Sequence, residues 1–277
     1  LSGMSGTISD AAEELSDVYG LNVLPIPPNC RVRRRDLPDV YYSDKVEQFQ
    51  CAIEEALKIH ATGQPVLIVV STIAETEVVS QLLIEERIPH NVLNANNAFW
   101  EADIIKEAGQ MNAVTVATSM AGRGTDIKLG DGVRALGGLA VIGIGRMANV
   151  RQERQARGRA GRQGDPGMSR FYVCIHDEVV KANGPSNLVD YLEGRKHMGK
   201  RHLKKTIDAA QTLGEELAVL SRQRAFDYDQ VLQKQRAVMY QMRNDLLDGE
   251  EFARERLLDI AEKNIALFVY GTEELTG

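Results

Sequence analysis

Three arginines, Arg157, Arg159 and Arg162, stand among glycines in the stretch Gln155–Asp165, Gln-Ala-Arg-Gly-Arg-Ala-Gly-Arg-Gln-Gly-Asp. A guanidinium is a planar fork that matches phosphate oxygens in pairs, and Gly158 and Gly161 remove side chains that would keep an anion from the backbone. If the stretch is helical, Gln155, Arg159 and Arg162 share one face. A second glycine-arginine segment, Met120–Ile127 (Met-Ala-Gly-Arg-Gly-Thr-Asp-Ile), follows the apolar, β-branched run Ala113–Ala117. A buried strand running into such a loop places it at the carboxyl end of a parallel sheet, where α/β folds bind their ligands. The two loops can therefore meet at one anion site, although each taken alone reads as an ordinary glycine turn.

The elements that must position these loops follow from the pattern around them. A helix is expected over Asp44–Thr62, a strand at Pro65–Val70, a helix over Ala74–Glu86 and a short strand at His90–Leu93. A helix over Phe99–Gly109, the strand Ala113–Ala117, and strands at Leu139–Gly143 and Ser169–Ile175 complete the alternation. Strands alternating with helices imply right-handed crossovers and a parallel sheet covered on both faces, an α/β, RecA-like core in outline. Ahead of it, Ser9–Tyr19 reads as a short helix capped by Ser9 or Asp10. Pro25, Pro27, Pro28 and Pro38, with Arg31 and Arg33–Arg35, then read as an extended linker whose basic cluster is solvated or meets an acidic partner. Lys200–Leu247 holds no proline and one glycine, Gly214. Leu213, Leu217, Leu220, Val231, Val238 and Met242 are spaced for one face of a long helix, an all-α scaffold that lies against another body. Asp248-Gly249 ends it, and Phe252–Phe268 resumes as a helix.

A chain of 277 residues, 43% of them hydrophobic, can bury a sizeable core in one or two domains. Its formal charge of −6 argues against a general nucleic-acid coat, so the basic patches need a local explanation, either nucleotide phosphate or a partner surface. Cys30, Cys51 and Cys174 form no close pair or metal-ligand spacing, which favours a reducing, cytosolic setting; the five histidines are scattered. No apolar run approaches the ~18 residues of a membrane helix. The chain opens at Leu1 without an initiator Met, and Leu1–Thr7 reads like the interior of a domain, so a fragment is expected.

Met120–Ile127, Gly158–Asp165 (Gly-Arg-Ala-Gly-Arg-Gln-Gly-Asp) and the opening Gly3-Met4-Ser5-Gly6-Thr7 together resemble the SecA family, ATP-driven motors that push preproteins through the bacterial SecY channel. Val92-Leu93-Asn94-Ala95, Tyr228-Asp229 and Val231-Leu232 look like further landmarks, so the likeness covers essentially the whole chain. A lone Gln-x-x-Gly-Arg-x-Gly-Arg would indicate only the wider helicase-like superfamily. The resemblance implies that residues 1–30 end a first motor domain and lead into a connector. Residues 31–180 would be the second RecA-like motor domain, 181–248 the helical scaffold, and 249–277 the start of a truncated helical wing. It implies ATP in a cleft between two motor domains, with Arg123, Gly124 and Asp126 approaching the nucleotide and Gln155, Arg159 and Arg162 facing the γ-phosphate as arginine-finger machinery. Its partners would be the first motor domain, SecY, preproteins and an anionic membrane surface rather than nucleic acid. Its location would be cytoplasmic and peripheral at the inner face of the plasma membrane.

The other wall of that cleft is absent from the sequence. There is no Gly-x-x-x-x-Gly-Lys-Ser/Thr phosphate loop and no Asp-Glu-x-Asp magnesium site, so Mg2+ ligands would come from the first motor domain and this chain alone is expected to be inactive. Where the housekeeping family reads Gly-Thr-Glu-Arg-His-Glu-Ser, this chain has Gly143-Ile-Gly-Arg-Met-Ala-Asn149, and Gln230 replaces a second acid after Tyr228-Asp229. These departures bear on the coupling between motor and scaffold more than on nucleotide contact. They point to an accessory SecA, with a divergent housekeeping protein as the alternative. Two further readings remain, the second motor domain of a nucleic-acid helicase and a non-catalytic fragment that regulates a motor.

Overall fold

The computed structural model describes residues 2–119, 124–186, 188–193, 198–247 and 249–270, apart from the side chains of 97, 98, 250–252, 267, 269 and 270. Two units emerge from it, Leu1–Val219 and Leu220–Gly277. The first is built on strands β1 (Arg33–Asp36), β2 (Val40–Tyr42), β3 (Val66–Val70), β4 (Asn91–Leu93), β5 (Val114–Thr118), β6 (Leu139–Ile144) and β7 (Pro166–Cys174). They form one seven-stranded sheet in the order β1-β7-β6-β3-β5-β4, with β2 also on β7. Every pairing is parallel. This is the RecA-like α/β class expected from the alternation.

Two hydrophobic clusters sandwich the sheet. Helices α2 (Lys45–His60) and α3 (Ile73–Glu85) lay Phe49, Ile53, Val79 and Leu83 against Val66, Ile68, Val116 and Ile142 on one face. The other face buries Leu67, Val69, Val141 and Phe171 under α4 (Glu101–Glu107), α5 (Val150–Arg157) and the start of α8 (Lys200–Leu247). The central strand reads Val-Leu-Ile-Val-Val and is buried at every position, as a parallel strand covered on both faces must be. Local signals fix the helix starts. Asp44 accepts from the Glu47 N–H, and Thr72 with Glu75 closes a reciprocal capping box.

Three expectations are corrected. The basic linker is sheet edge: Arg33–Asp36 pairs with Pro166–Ser169, and Val40–Tyr42 with Tyr172–Cys174. Such short strands carry too little apolar periodicity to stand out, and they form because β7 offers them an unpaired edge. Neither Ser9 nor Asp10 caps α1 (Ala12–Tyr19); Ala11 stands there without a side-chain bond, and the Asp10 carboxylate is spent on Arg154 at 2.5 Å. The helix expected from Phe99 is split into a 3-10 turn, Ala95–Trp100, followed by α4.

The long helix runs over Lys200–Leu247 as its unbroken pattern requires. Leu203, Thr206, Ile207, Ala210 and Gln211 are buried within the first unit. The second unit comprises the remainder of α8 and α9 (Glu250–Tyr270), in which Val231, Val238, Leu257, Ile260 and Ile265 are exposed. Short helices α6 (Glu178–Asn183) and α7 (Leu188–Leu192) follow β7. Among the described residues no helix is long and apolar enough to cross a membrane.

Gly143 lies opposite Phe171 in the β6–β7 register, and a Cβ there would fall 2.3 Å from the buried ring. Gly143→Ala is therefore expected to cost about 1–3 kcal/mol, read as a lower urea midpoint; an unchanged midpoint would mean that the ring can shift. A second expectation concerns His176, which burial, with Lys181 nearby, holds below its ordinary 6.5. The unfolded chain takes up a proton below 6.5 that the folded imidazole still refuses. Stability should thus fall as pH drops through that value and level off below the folded pKa. His176→Gln should flatten that part of a stability–pH profile.

Candidate nucleotide-phosphate site

The two glycine-arginine loops do meet. Arg162 Nη1 lies 2.5 Å from Asp126 Oδ1, and Arg134, further along the Asp126 loop, reaches Asp165 at 2.7 Å. Asp126 is held in place by its neighbour Ile127, which is buried in the core, and by the Gly130 N–H bonded to the Gly109 carbonyl. Arg162 also donates from Nε to the Gly158 carbonyl at 3.2 Å. The side chains of Arg162 and Asp126 remain 35% and 49% exposed, so the pair can be reached from solvent. Arg159 borders a cavity of about 20 Å³ beside Ser119, Ile127 and Ala156, at the base of the same two loops. Gly124 adopts φ +82°, and Arg123 lies outside the described residues.

The placement of the site differs from the expectation in two ways. Gln155, Arg159 and Arg162 do not share a helical face. Helix α5 stops at Arg157, and Gly161 turns the chain at φ +72° before a 3-10 turn over Arg162–Gly164. Gly161 is obligatory there, because a Cβ would fall 2.6 Å from Arg34 Cβ. Arg34 in turn donates to the Ala160 carbonyl at 3.3 Å, so β1 fixes the Arg-rich loop. The pair also does not sit beyond the carboxyl ends of the strands. Arg162 stands just ahead of Pro166, where β7 begins, and the Asp126 loop has run back to Gly109, ahead of β5. The contact between Asp126 and Arg162 therefore falls toward the amino end of the sheet.

Not every arginine of the stretch is available to an anion. Arg157 is only 14% exposed, paired with Asp39 at 2.7 Å, bonded to Ser169 Oγ at 3.0 Å and laid over the Phe171 ring at 4.4 Å. Gln155 Nε2 donates to Thr7 Oγ1 at 3.3 Å, which ties the opening segment to α5.

The carboxyl ends of the strands are occupied by a second polar cluster that sequence reasoning missed. Its centre is Arg146, just after β6 and 6% exposed. Its Nη1 contacts Asp39 at 3.0 Å and Glu153 at 3.1 Å, and its Nη2 meets Asp208 of α8 and Tyr41 OH. Its backbone N–H donates to Asp177 Oδ2 at 2.8 Å; Asp177 also takes Lys45 at 3.1 Å and the Cys174 N–H at 2.8 Å. Burial opposes the Arg146 charge, but Glu153, Asp39 and Asp208 outweigh it and raise the guanidinium pKa further. Burial pushes the Glu153 carboxyl above the ordinary glutamate range, with Arg146 and the Gln211 amide holding it back. The signal in the sequence is the lone Arg of Gly-Ile-Gly-Arg-Met-Ala-Asn, a segment without acids or histidine to mark it. Among the described residues no cluster of three or more His, Cys, Asp or Glu side chains is arranged for a metal ion.

The site and the fold together define the class as far as structure goes: a parallel α/β core that carries a half-exposed Asp–Arg pair between two glycine loops and continues into a long helix. Comparison with known proteins gives the family. The SecA P-loop domain model matches residues 31–134 and 131–198, and the SecA Wing and Scaffold domain model matches 197–276. The chain belongs to the SecA family. It is 44% identical to protein translocase subunit SecA of Campylobacter lari, over 96% of this chain and 31% of that protein. It is 45% identical to protein translocase subunit SecA 2 of Streptococcus sanguinis, over 91% of this chain and 33% of that one. The chain thus spans about a third of the length of these relatives. A solved structure of Mss116p bound to ssRNA and AMP-PNP aligns at 18% identity over 67% of this chain and 36% of that one, with a TM-score of 0.43, a level that supports no functional transfer.

The two ion-pair systems should respond differently to truncation. Arg146→Met leaves three carboxylates around a buried gap and is expected to cost about 3–5 kcal/mol, whereas Asp126→Asn should change stability by less than about 1 kcal/mol. Urea midpoints of the two variants check this, and equal shifts would contradict the contrast in burial.

Proposed function

We propose that this chain is the second motor domain and scaffold portion of an ATP-driven protein translocase that moves preproteins through the bacterial SecY channel. Residues 1–30 lead out of a first motor domain, 31–180 form the second motor, 181–248 the scaffold and 249–277 the beginning of the wing. ATP lies between the two motors. Asp126, Gly124 and Arg123 approach the nucleotide from this side, while Arg159 and Arg162, with Gln155 beside them, face its γ-phosphate. A guanidinium there stabilises charge developing in phosphoryl transfer, an effect on the order of 10³-fold or more in rate. The sequence carries no phosphate loop, so the first motor domain supplies that loop and the ligands for Mg2+, and this chain alone does not turn over ATP.

The observation that carries this reading is the 2.5 Å contact between Arg162 and Asp126, which joins the two family loops and leaves the Arg162 guanidinium half-exposed as a donor suited to phosphate. The net charge of −6 supports a protein rather than a nucleic-acid substrate. The motor works on the cytoplasmic face of the membrane, peripheral to it, where an anionic lipid surface is a further partner. SecA and SecA 2 relatives match at similar identity. The departures at Gly143–Asn149 favour an accessory type.

The test is ATP turnover after this chain is mixed with a separately produced first motor domain. Activity is expected only on mixing, and Arg159→Ala and Arg162→Ala are each expected to lower it on the order of 10³-fold. Tight association without turnover, or full turnover in either variant, would overturn the site assignment. Salt-sensitive RNA binding in place of association would favour a helicase.

A further inference from the structure

Arg146 has partners on four elements: Asp39 between β1 and β2, Tyr41 on β2, Glu153 on α5 and Asp208 on α8. Helix α8 also grips α5 directly. Gln211 Nε2 donates to Glu153 Oε1 at 2.9 Å and to the Met147 carbonyl at 3.0 Å, and Glu215 accepts the backbone N–H of Val150, the first residue of α5. Asp208, Gln211 and Glu215 recur at helical spacing, so one face of α8 supplies all three contacts. The far end of α5 depends on the same cluster. Asp39 bridges Arg146 to Arg157, immediately before the loop that carries Arg159 and Arg162.

From these contacts we infer that Arg146 is a positioning residue that binds α5 and the opening turns of α8 into one body, so that a phosphate drawing on the Arg159–Arg162 loop displaces α8 with it. The inference rests on the phosphate reading of that loop. The charges explain why the joint is rigid. Arg146, Arg157 and Lys204 face Asp39, Glu153 and Asp208, with Lys204 paired to Asp208 at 2.8 Å. Partial opening would strand the buried Glu153 carboxylate and leave Asp39 short of a partner, so the cluster is held whole or broken rather than bent. A lysine cannot substitute, because a point donor cannot reach across four elements as a planar fork does. This also answers the departures in Gly143–Asn149: here the coupling of motor to helix runs through Arg146, which that segment retains.

The test is hydrogen exchange on this chain mixed with the first motor domain, with and without a non-hydrolysable ATP analogue. In the unsubstituted chain the analogue should slow exchange both in 157–165 and in 200–219. In Arg146→Lys, provided its near-UV spectrum matches that of the unsubstituted chain, the response in 157–165 should persist while that in 200–219 is lost. Asp208→Asn keeps Arg146 with its other partners and should lose the same distal response in part; it decides the matter alone if Arg146→Lys fails to fold. A full response in 200–219 in the folded variants, or none there in the unsubstituted chain while 157–165 responds, overturns the positioning role and leaves the phosphate site standing. No response in 157–165 of the unsubstituted chain overturns the phosphate reading, and the inference falls with it.

Discussion

The structure depends on one buried charge. A guanidinium withdrawn from water is tolerated only when carboxylates surround it, and Arg146 draws them from the loop between β1 and β2, from α5 and from α8. That requirement fixes how the sheet edge, the helix ahead of the Arg-rich loop and the opening of the long helix sit together within the first unit. Hydrophobic burial holds α5 and α8 on their face of the sheet through Ala156, Leu203, Ile207 and Ala210. Apolar contact is non-directional, however, and allows sliding that a network of directed bonds does not.

The Asp126–Arg162 pair is the opposite case. It is half-exposed, contributes little to stability and leaves a guanidinium accessible. The glycines and the β1 edge keep it open. Gly161 lets the loop pass over Arg34, and Arg34 anchors the Ala160 carbonyl. A strong buried cluster at the carboxyl ends and a weak exposed pair toward the amino ends thus flank α5 on either side. One is suited to rigidity and the other to exchanging partners with an arriving anion.

The strand-end rule holds for Arg159, whose cavity reaches Thr118 and Ser119 at the end of β5, but not for the Asp126–Arg162 contact, because the rule treats a loop after a strand as staying where the strand stops. By Gly130 the chain after β5 lies beside Gly109, ahead of that strand, and residues 158–165 lead into Pro166 at the start of β7. The helical-face expectation failed for a local reason. The Gly158 and Gly161 that admit an anion are also the residues at which a helix ends. Arg157 illustrates the limit of composition: among three arginines of identical type, Asp39, Ser169 and Phe171 take one out of play, and none of these lies near it in sequence.

By itself the sequence determined whatever periodicity and local chemistry decide. These are the buried Val-Leu-Ile-Val-Val strand, the Asp44 and Thr72 caps, the uninterrupted Lys200–Leu247 helix, and two glycine-arginine loops specific enough to announce their family. Tertiary structure alone decided which arginine is engaged and which is reachable, that Arg33–Asp36 joins the sheet, and that Arg146 pairs with both α5 and α8. The physical reason is that ion pairing and edge-strand addition depend on partners distant in the chain, such as Asp39 and Asp208, whose approach is set by the packing of the whole sheet and leaves no local mark in the residues themselves.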